Sequence, residues 1–141
     1  MGTLAQLFES GEQTSKKGHF RNLVLLARLD GSIADTERNF LNRMASRLSL
    51  TEEQVKEILS DPMAYPVVPP ISLEERCERL IALVEMSNID GVIASEELSL
   101  INRLAIALGL TDEFIGENLP VIIEKVKNNM DRNEILEVLI G

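Results

Sequence analysis

Apolar residues recur at intervals of three and four positions along most of the chain, which is the spacing of one face of an α-helix. Leu41, Met44, Ala45 and Leu48 follow this spacing in one segment. No stretch of useful length alternates between apolar and polar residues, as a half-buried strand does. The pattern therefore predicts an all-α protein, a helical bundle of about seven to eight helices without a sheet.

The strongest regularity in the sequence is an internal repeat. When the chain is shifted by 60 positions, residues 23–59 lie on residues 83–119 without a gap, and 16 of the 37 positions are identical. Such self-similarity is typical of a duplicated structural unit. The repeat predicts two pseudo-twofold-related units, residues 20–59 and 80–119, within a single domain that spans residues 1–141.

Each unit is predicted to contain three helices. The first helix ends at an Asp-Gly pair, where Gly31 and Gly91 supply the left-handed turn that stops a helix. The third helix begins at Thr51 and Thr111, each followed by acidic residues that favour a helix N-terminus. The first helices are expected at 20–29 and 72–89, and the second helices at 35–48 and 95–108.

The second helix differs in polarity between the units. Arg38, Ser46 and Arg47 of segment 35–48 are replaced by apolar residues in segment 95–108. A helix that is apolar all round is a buried one. The sequence therefore places segment 95–108 at the centre of the bundle.

The segment between the repeats, residues 60–71, holds four of the five prolines. Proline excludes a helix there, so a crossing loop is expected. Its apolar residues predict that it packs on the bundle, with Val67, Val68 and Ile71 at least half buried. A docking strip for another molecule is the alternative interpretation.

The two ends of the chain lie outside the repeats. Pro120 is expected to kink or restart a helix that continues to about residue 130. A last short helix is expected at 134–139 and a further short helix at 3–9.

The chain is acidic, which narrows the classes of partner. Its 14 Lys and Arg against 23 Asp and Glu give a net charge of −9. Nucleic acid and anionic membrane surfaces both favour basic patches, so neither is an expected partner. No apolar stretch approaches the ~20 residues of a membrane span, and the first residues lack a signal-peptide pattern. The single Cys77 cannot form an internal disulfide, so a cytoplasmic location is expected, with Cys77 as a small packing residue.

Few side chains are suited to catalysis. The chain has one His, one Cys and no Trp, and it has no Gly-rich phosphate loop. His19 stands before the first predicted helix without a second His or Cys nearby, so it receives no metal or catalytic role. The sequence predicts that the protein is not an enzyme and has no catalytic or cofactor-binding residues.

The repeated motif D-G-x-I-A-x-x-E, at residues 30–37 and 90–97, is the candidate for chemistry. It equals the second half of a calcium-binding EF-hand loop, which places oxygen ligands at its first, third, fifth and twelfth positions. Leu26, Arg28 and Met86 stand at first and third positions and cannot ligate a cation. A standard EF-hand is therefore not expected.

The same motif also has a purely structural interpretation. Asp30 and Asp90 end one helix, and Glu37 and Glu97 lie in the first turn of the next, where a carboxylate can cap the amides of the corner. Yet both aspartates lie at the negative end of a helix, where a carboxylate is disfavoured. Both glutamates project onto the apolar face of the second helix, where a carboxylate needs a hydrogen bond, an ion pair or a metal ion. Two hypotheses remain: a structural corner, and a divalent-cation site that Asp30, Glu37, Asp90 and Glu97 share.

The duplicated corner, followed each time by L-x-L-T, resembles the TerB family of bacterial proteins from tellurite-resistance clusters. It is also similar to the helical TerB-like domain of a membrane co-chaperone. The matching segments are LLARLDGSIADTERNFLNRMASRLSLTEEQV and VEMSNIDGVIASEELSLINRLAIALGLTDEFI, about half of the chain.

This resemblance implies an all-α fold whose two halves pack as a pseudo-twofold pair, and a role in stress response through partners. It also implies an acidic surface associated with divalent cations, and the acidic corner of the family falls on Asp30, Glu37, Asp90 and Glu97.

One departure from the family concerns the N-cap of the second helix. Family members often carry Ser or Thr where Ala34 and Ala94 stand. The cap is therefore expected to shift to Asp35 and Ser95.

The leading functional hypothesis is a non-enzymatic acidic helical domain that acts through an unknown protein partner in a bacterial stress or tellurite response. The alternative is a divalent-cation-binding protein that uses the paired corners. No nucleic-acid partner and no membrane insertion are expected. An enzyme whose carboxylates alone do acid–base work ranks third.

Overall fold

The computed structural model describes residues 10–141. Within these residues the chain forms seven α-helices and one short 3₁₀ helix, and no strand, in agreement with the predicted all-α bundle. The short helix expected at 3–9 lies outside the described residues. The elements are α1 (Gly11–Ala27), α2 (Asp35–Arg47), α3 (Glu52–Ser60), the 3₁₀ helix (Pro62–Ala64), α4 (Leu73–Ser87), α5 (Ser95–Ala107), α6 (Asp112–Lys127) and α7 (Arg132–Ile140).

Side chains at the N-caps set where most of these helices begin. Thr51 and Thr111 accept hydrogen bonds from the backbone N–H groups of Gln54 and Phe114, so α3 and α6 begin where the sequence predicts. Ser72 caps α4 in the same way. Each cap satisfies an amide that a helix N-terminus leaves without an intrahelical partner.

Helix α1 begins earlier than expected, at Gly11 rather than near residue 20. The Ser10 side chain accepts a hydrogen bond from the backbone N–H of Gln13 and fixes this start. His19 therefore lies inside a helix rather than before one, and it is only 4% exposed. A lone serine in a polar segment is a weak signal, and burial of α1 on the bundle supplies the rest of the stabilisation.

Helices α1 and α4 form the centre of the bundle. α1 contacts α2, α3, α4 and α5, and α4 contacts α1, α5, α6 and α7. Phe20 and Leu23 of α1 are fully buried, as are Leu80, Ile81 and Cys77 of α4. Cys77 is thus a packing residue, as predicted.

The expectation that segment 95–108 occupies the centre is wrong. α5 buries Ile101, Leu104 and Ala105, whereas Leu98 is 36% exposed and Ile106 is 52% exposed. The central position belongs to α4, which buries a longer continuous apolar run. α5 packs against it with one face only, so part of its apolar surface remains in solvent.

The helix boundaries of the two units correspond at the offset seen in the sequence. α2 and α5 differ by 60 at both ends, α3 and α6 differ by 60 at their starts, and α1 and α4 differ by 60 at their ends. The local signals that start and stop these helices are therefore common to both copies.

The loop between the units packs on the bundle, as predicted, except at its end. Val67 and Val68 are more than half buried. Ile71 is 96% exposed, so the expectation that it is at least half buried is wrong. Pro70 is buried instead, and its carbonyl oxygen accepts a hydrogen bond from Nε of Arg76 at 2.7 Å. This anchor holds the proline inward and leaves the following side chain in solvent.

The expected fresh start at Pro120 does not occur, because α6 runs through it. Proline removes one intrahelical hydrogen bond. Ile115, Leu119 and Ile122 on both sides of it are buried in the core, and this packing holds the helix together. The helix ends at Lys127, somewhat before the expected residue 130.

The last helix is longer than the expected 134–139. The Asp131 side chain accepts a hydrogen bond from the backbone N–H of Asn133, and α7 begins at Arg132.

No described helix is both long and apolar enough to cross a membrane.

Candidate functional site

The corner between the first and second helices is built in the same way in both units. Gly31 and Gly91 have φ angles of 102° and 87°, a region of backbone space that a side chain makes costly. Oδ1 of Asp30 and of Asp90 accepts a hydrogen bond from the backbone N–H two residues later, at 3.4 and 3.2 Å. The Asp-Gly pair thus turns the chain where the sequence predicts.

Both motif glutamates reach back to the corner. Oε1 of Glu37 accepts a hydrogen bond from the backbone N–H of Ala34 at 2.8 Å, and Oε1 of Glu97 accepts one from Ala94 at 3.0 Å. This is half of a capping box, because alanine has no side-chain acceptor to complete it. The capping function proposed for these glutamates is therefore present in the structure.

The expected shift of the N-cap to Asp35 and Ser95 is wrong. Ala34 and Ala94 are the N-caps, with extended backbone angles (φ −70° and −69°, ψ 158° and 157°), and α2 and α5 begin at the next residue. The glutamate bonds hold the amides at these positions. The corner therefore keeps its geometry without a hydroxyl side chain at the cap.

The two corners lie side by side and line one cavity of about 260 Å³, here called the acidic cleft. Thirteen residues line it, and twelve of them form six pairs at the sequence offset of 60. The structure thus brings all four predicted site residues to one cavity. The pairs are Leu26/Met86, Leu29/Ile89, Asp30/Asp90, Ala34/Ala94, Thr36/Glu96 and Glu37/Glu97.

The four carboxylates of the corners interact electrostatically. Burial raises the pKa of the Glu97 carboxyl, and the negative charges of Asp90, Glu37 and Asp30 raise it further, against the lowering caused by the hydrogen bond from Ala94. Like charges that share a cavity disfavour ionisation of one another. The acidic cleft therefore favours a positively charged ligand.

Each of the four carboxylates has one oxygen available to such a ligand. Among the described residues, no hydrogen bond or ion pair engages Oδ2 of Asp30 and Asp90 or Oε2 of Glu37 and Glu97. Within residues 10–141, no three His, Cys, Asp or Glu side chains form a group that could hold a metal ion. The cleft has the charge for an ammonium, a guanidinium or a hydrated divalent cation, and the metal role of the four residues stays a prediction.

Thr36 and Glu96 also line the cleft, and the sequence analysis did not identify them as site residues. They occupy equivalent positions, and Glu96 adds another carboxylate to the wall formed by the second unit. The offset of 60 is the signal that pairs them. Because one residue is a threonine and the other a glutamate, a comparison that considers only identical residues at this offset does not detect the pair.

In comparisons with known proteins, no family model, curated protein or solved structure matches this chain. The resemblance to the TerB family therefore remains an interpretation of the corner motif.

Proposed function

We propose that the chain is a TerB-like, non-enzymatic binding module of the bacterial cytoplasm that recognises a protein partner through the acidic cleft, in a stress or tellurite response. The partner supplies a lysine or arginine side chain that enters the cleft. The observation that carries this proposal is the convergence of Asp30, Glu37, Asp90 and Glu97 on one cavity. A cation placed there interacts with carboxylates from both repeats at once.

The electrostatics of the acidic cleft support a cationic occupant. The pKa of Glu97 is raised by burial and by its three carboxylate neighbours, so the charged form is disfavoured. A guanidinium or ammonium group relieves this repulsion, because an opposite charge favours the ionised carboxylate. Part of the binding free energy thus comes from relief of repulsion in the unbound protein.

The proposal includes a pseudo-twofold relation between the units 20–59 and 80–119. The six equivalent pairs around the cleft support it, since equivalent residues from two copies meet where a twofold axis passes. A ligand on such an axis is contacted by the same residue types from both sides.

A divalent cation is the second candidate ligand, and the same four carboxylates favour it. Hard cations such as Ca²⁺ and Mg²⁺ prefer oxygen ligands, and each corner offers one aspartate and one glutamate. Since no three of the described side chains group closely enough to hold a metal ion, the free carboxylate oxygens would bind a hydrated ion through its water molecules. Experiments on the cleft must therefore separate a basic side chain from a metal ion.

The test uses a cleft variant that carries Asp30→Asn, Glu37→Gln, Asp90→Asn and Glu97→Gln. The amide side chains keep an oxygen acceptor for the corner hydrogen bonds, so the variant removes four charges but retains the corners. Affinity capture from the native bacterium, followed by calorimetric titration of the purified partner, measures binding. Binding by the wild type that is lost in the cleft variant is the expected result.

The matched control removes four carboxylates elsewhere, by Glu52→Gln, Glu53→Gln, Asp112→Asn and Glu113→Gln. These residues are exposed, lie in the first turns of α3 and α6, and form two equivalent pairs outside the cleft. The control should bind the partner as the wild type does. A partner that binds the cleft variant and the wild type equally contradicts the role of the cleft.

The cation alternative is tested by calorimetric titration of the same proteins with Ca²⁺, Mg²⁺ and Mn²⁺. Heat of binding in the wild type and control, but not in the cleft variant, supports a metal site. Absence of both heat and thermal stabilisation at millimolar metal eliminates it.

A further inference from the structure

A second cavity, of about 180 Å³, lies between α1, α2, α4 and α7 and is here called the basic pocket. Four cationic side chains line it: Lys16, Arg47, Arg79 and Arg132. The ring of His19, the only histidine of the chain, forms part of its wall. These residues come from three helices of the two units and from α7, so the fold assembles them from distant parts of the sequence.

Carboxylates balance most of the cationic side chains of the basic pocket. Two carboxylates, of Glu75 and Glu78, also line it, and Glu12 and Glu85 form ion pairs with Lys16 and Arg132. Oε1 of Glu75 is already engaged, because it accepts a hydrogen bond from the Ser72 hydroxyl. Arg47 has no such partner among the described residues, so its guanidinium is the group of this cavity that is open to a negative ligand.

Two of the arginines are held in place by neighbouring groups. Nη1 of Arg79 donates to the backbone oxygen and to Oγ of Ser15, at 3.1 and 2.6 Å. Nε of Arg132 donates to Oε1 of Glu85 at 2.8 Å. Arg47 makes no hydrogen bond or ion pair with any described residue and is exposed at the mouth. Fixed guanidinium groups suit an oxyanion, because their N–H groups match its oxygen atoms.

The histidine in the wall has an unmet hydrogen-bonding capacity. Nδ1 of His19 is buried and has no partner among the described residues, and the whole side chain is only 4% exposed. Burial and the charges of Arg79 and Arg132 lower the pKa of His19 to about 3, so the ring is neutral at pH 7. A buried polar atom without a partner is uncommon in folded proteins and calls for an explanation.

We propose that the basic pocket binds a small oxyanion of the phosphate class, held by Arg47, Arg79 and Arg132 next to the His19 ring. The ligand brings acceptor oxygens to the unpaired guanidinium of Arg47 and to the remaining N–H groups of Arg79 and Arg132, in a cavity that His19 also lines. Inorganic phosphate and a small phosphate monoester share this chemistry. The site is separate from the acidic cleft, and its occupation does not depend on the function proposed for the cleft.

The first test is calorimetric titration with inorganic phosphate and with glycerol phosphate, each against sodium chloride at equal ionic strength. Saturable heat is expected for at least one ligand, and the tighter of the two identifies the source of the phosphate group. The Lys16→Gln/Arg47→Gln variant should bind about tenfold more weakly, since it removes the charge-assisted contact from Arg47 and a second positive charge from the wall of the pocket. The Lys56→Gln/Arg103→Gln variant, with the same charge change at exposed positions outside the pocket, should bind as the wild type does.

A second readout is independent of protein stability. Because the chain has one histidine, its imidazole gives a single set of NMR signals. These signals should move as phosphate is added, and should not move with chloride. Absence of both saturable heat and a change in the His19 signals at millimolar phosphate overturns the proposal, as does equal weakening in the two double variants.

Discussion

The acidic cleft and the basic pocket both use α1 and α4 for part of their walls, but only one of them follows the sequence repeat. Six equivalent pairs line the cleft, whereas His19 and Arg79 are the single pair at an offset of 60 in the pocket. Positions that are equivalent in the sequence repeat therefore build the cleft, whereas most residues of the pocket have no equivalent residue in it. Arg132 of α7, which lies outside the repeats, completes the pocket.

The two cavities also hold their charges differently. In the cleft, backbone amides hold Glu37 and Glu97, and no described cation pairs with either of them. In the pocket, Arg79 and Arg132 are fixed by side-chain and backbone acceptors, and Glu85 balances Arg132. Removal of a charge should therefore destabilise the fold at the pocket and stabilise it at the cleft.

The largest effect is expected for Arg132→Gln. The side chains of Arg132 and Glu85 are only 15% and 22% exposed, so the variant leaves a largely buried carboxylate without its partner. The free energy of unfolding should fall by about 2 to 3 kcal/mol, as measured by urea denaturation at pH 7.

The double variant Arg132→Gln/Glu85→Gln should recover part of this loss, because two neutral amides replace the pair. Arg103→Gln, at an exposed position, should stay within about 0.5 kcal/mol of the wild type. Equal effects of Arg132→Gln and Arg103→Gln would show that the pair contributes nothing.

The second prediction concerns His19 and pH. The folded protein keeps the ring neutral down to a pKa of about 3, whereas the unfolded chain takes up a proton below the ordinary value of 6.5. The unfolded state therefore binds more protons in this window, and stability is lost as pH falls from 6.5 towards 3, by about 1.4 kcal/mol per pH unit.

The comparison with His19→Gln isolates this contribution from the other titrating groups. Between pH 7 and pH 5 the wild type should lose about 2 kcal/mol more than the variant in urea denaturation. Parallel pH profiles of the two proteins would mean that His19 is protonated in the folded state, which is inconsistent with its burial beside Arg79 and Arg132.

The difference between the cavities explains what the sequence could and could not predict. The motif at 30–37 and 90–97 contains its own turn glycine and its own capping glutamate, so the corners follow from local chemistry. The common offset then suggests that the two corners meet. Nothing local links His19, Arg79 and Arg132, because only the packing of α1, α4 and α7 brings them together.

Contacts between distant elements also decide the two burial positions that were wrongly predicted. The apolar pattern of segment 95–108 identifies a helix, but it does not rank that helix against α4 for the central place. The exposure of Ile71 depends on the anchor from Arg76 to Pro70, which is a tertiary contact. The burial of a residue that depends on contacts between helices is therefore poorly predicted from sequence. The start of a helix that depends on a local cap, as at Thr51 and Thr111, is well predicted.

The third prediction sharpens the equivalence of the two corners. Ala34→Ser and Ala94→Ser each supply the hydroxyl that completes a capping box with Glu37 or Glu97, at positions whose backbone already has N-cap angles. Each substitution should raise the free energy of unfolding by about 1 kcal/mol. Because both positions line the same cleft, the difference between the double variant and the sum of the two single variants measures the coupling between the corners. A gain at one corner only would show that the corners are not energetically equivalent.

The smallest effect is expected for Glu97→Gln, which tests the repulsion inside the cleft. The pKa of Glu97 is raised in the folded protein, chiefly by burial, so its charged form costs stability above that pKa. Gln keeps the bond to Ala94 without the charge, so the variant should be more stable at pH 7 by about 0.5 kcal/mol or less. As pH falls through the raised pKa, the wild-type carboxyl takes up a proton in the folded state, and the gain should disappear below the ordinary value of 4.5.

The stability gain of Glu97→Gln should also shrink in high salt, which screens the charges of the other carboxylates. Glu113→Gln, a first-turn carboxylate outside the cleft, is the control, and an equal gain there would assign the effect to net charge rather than to the cleft.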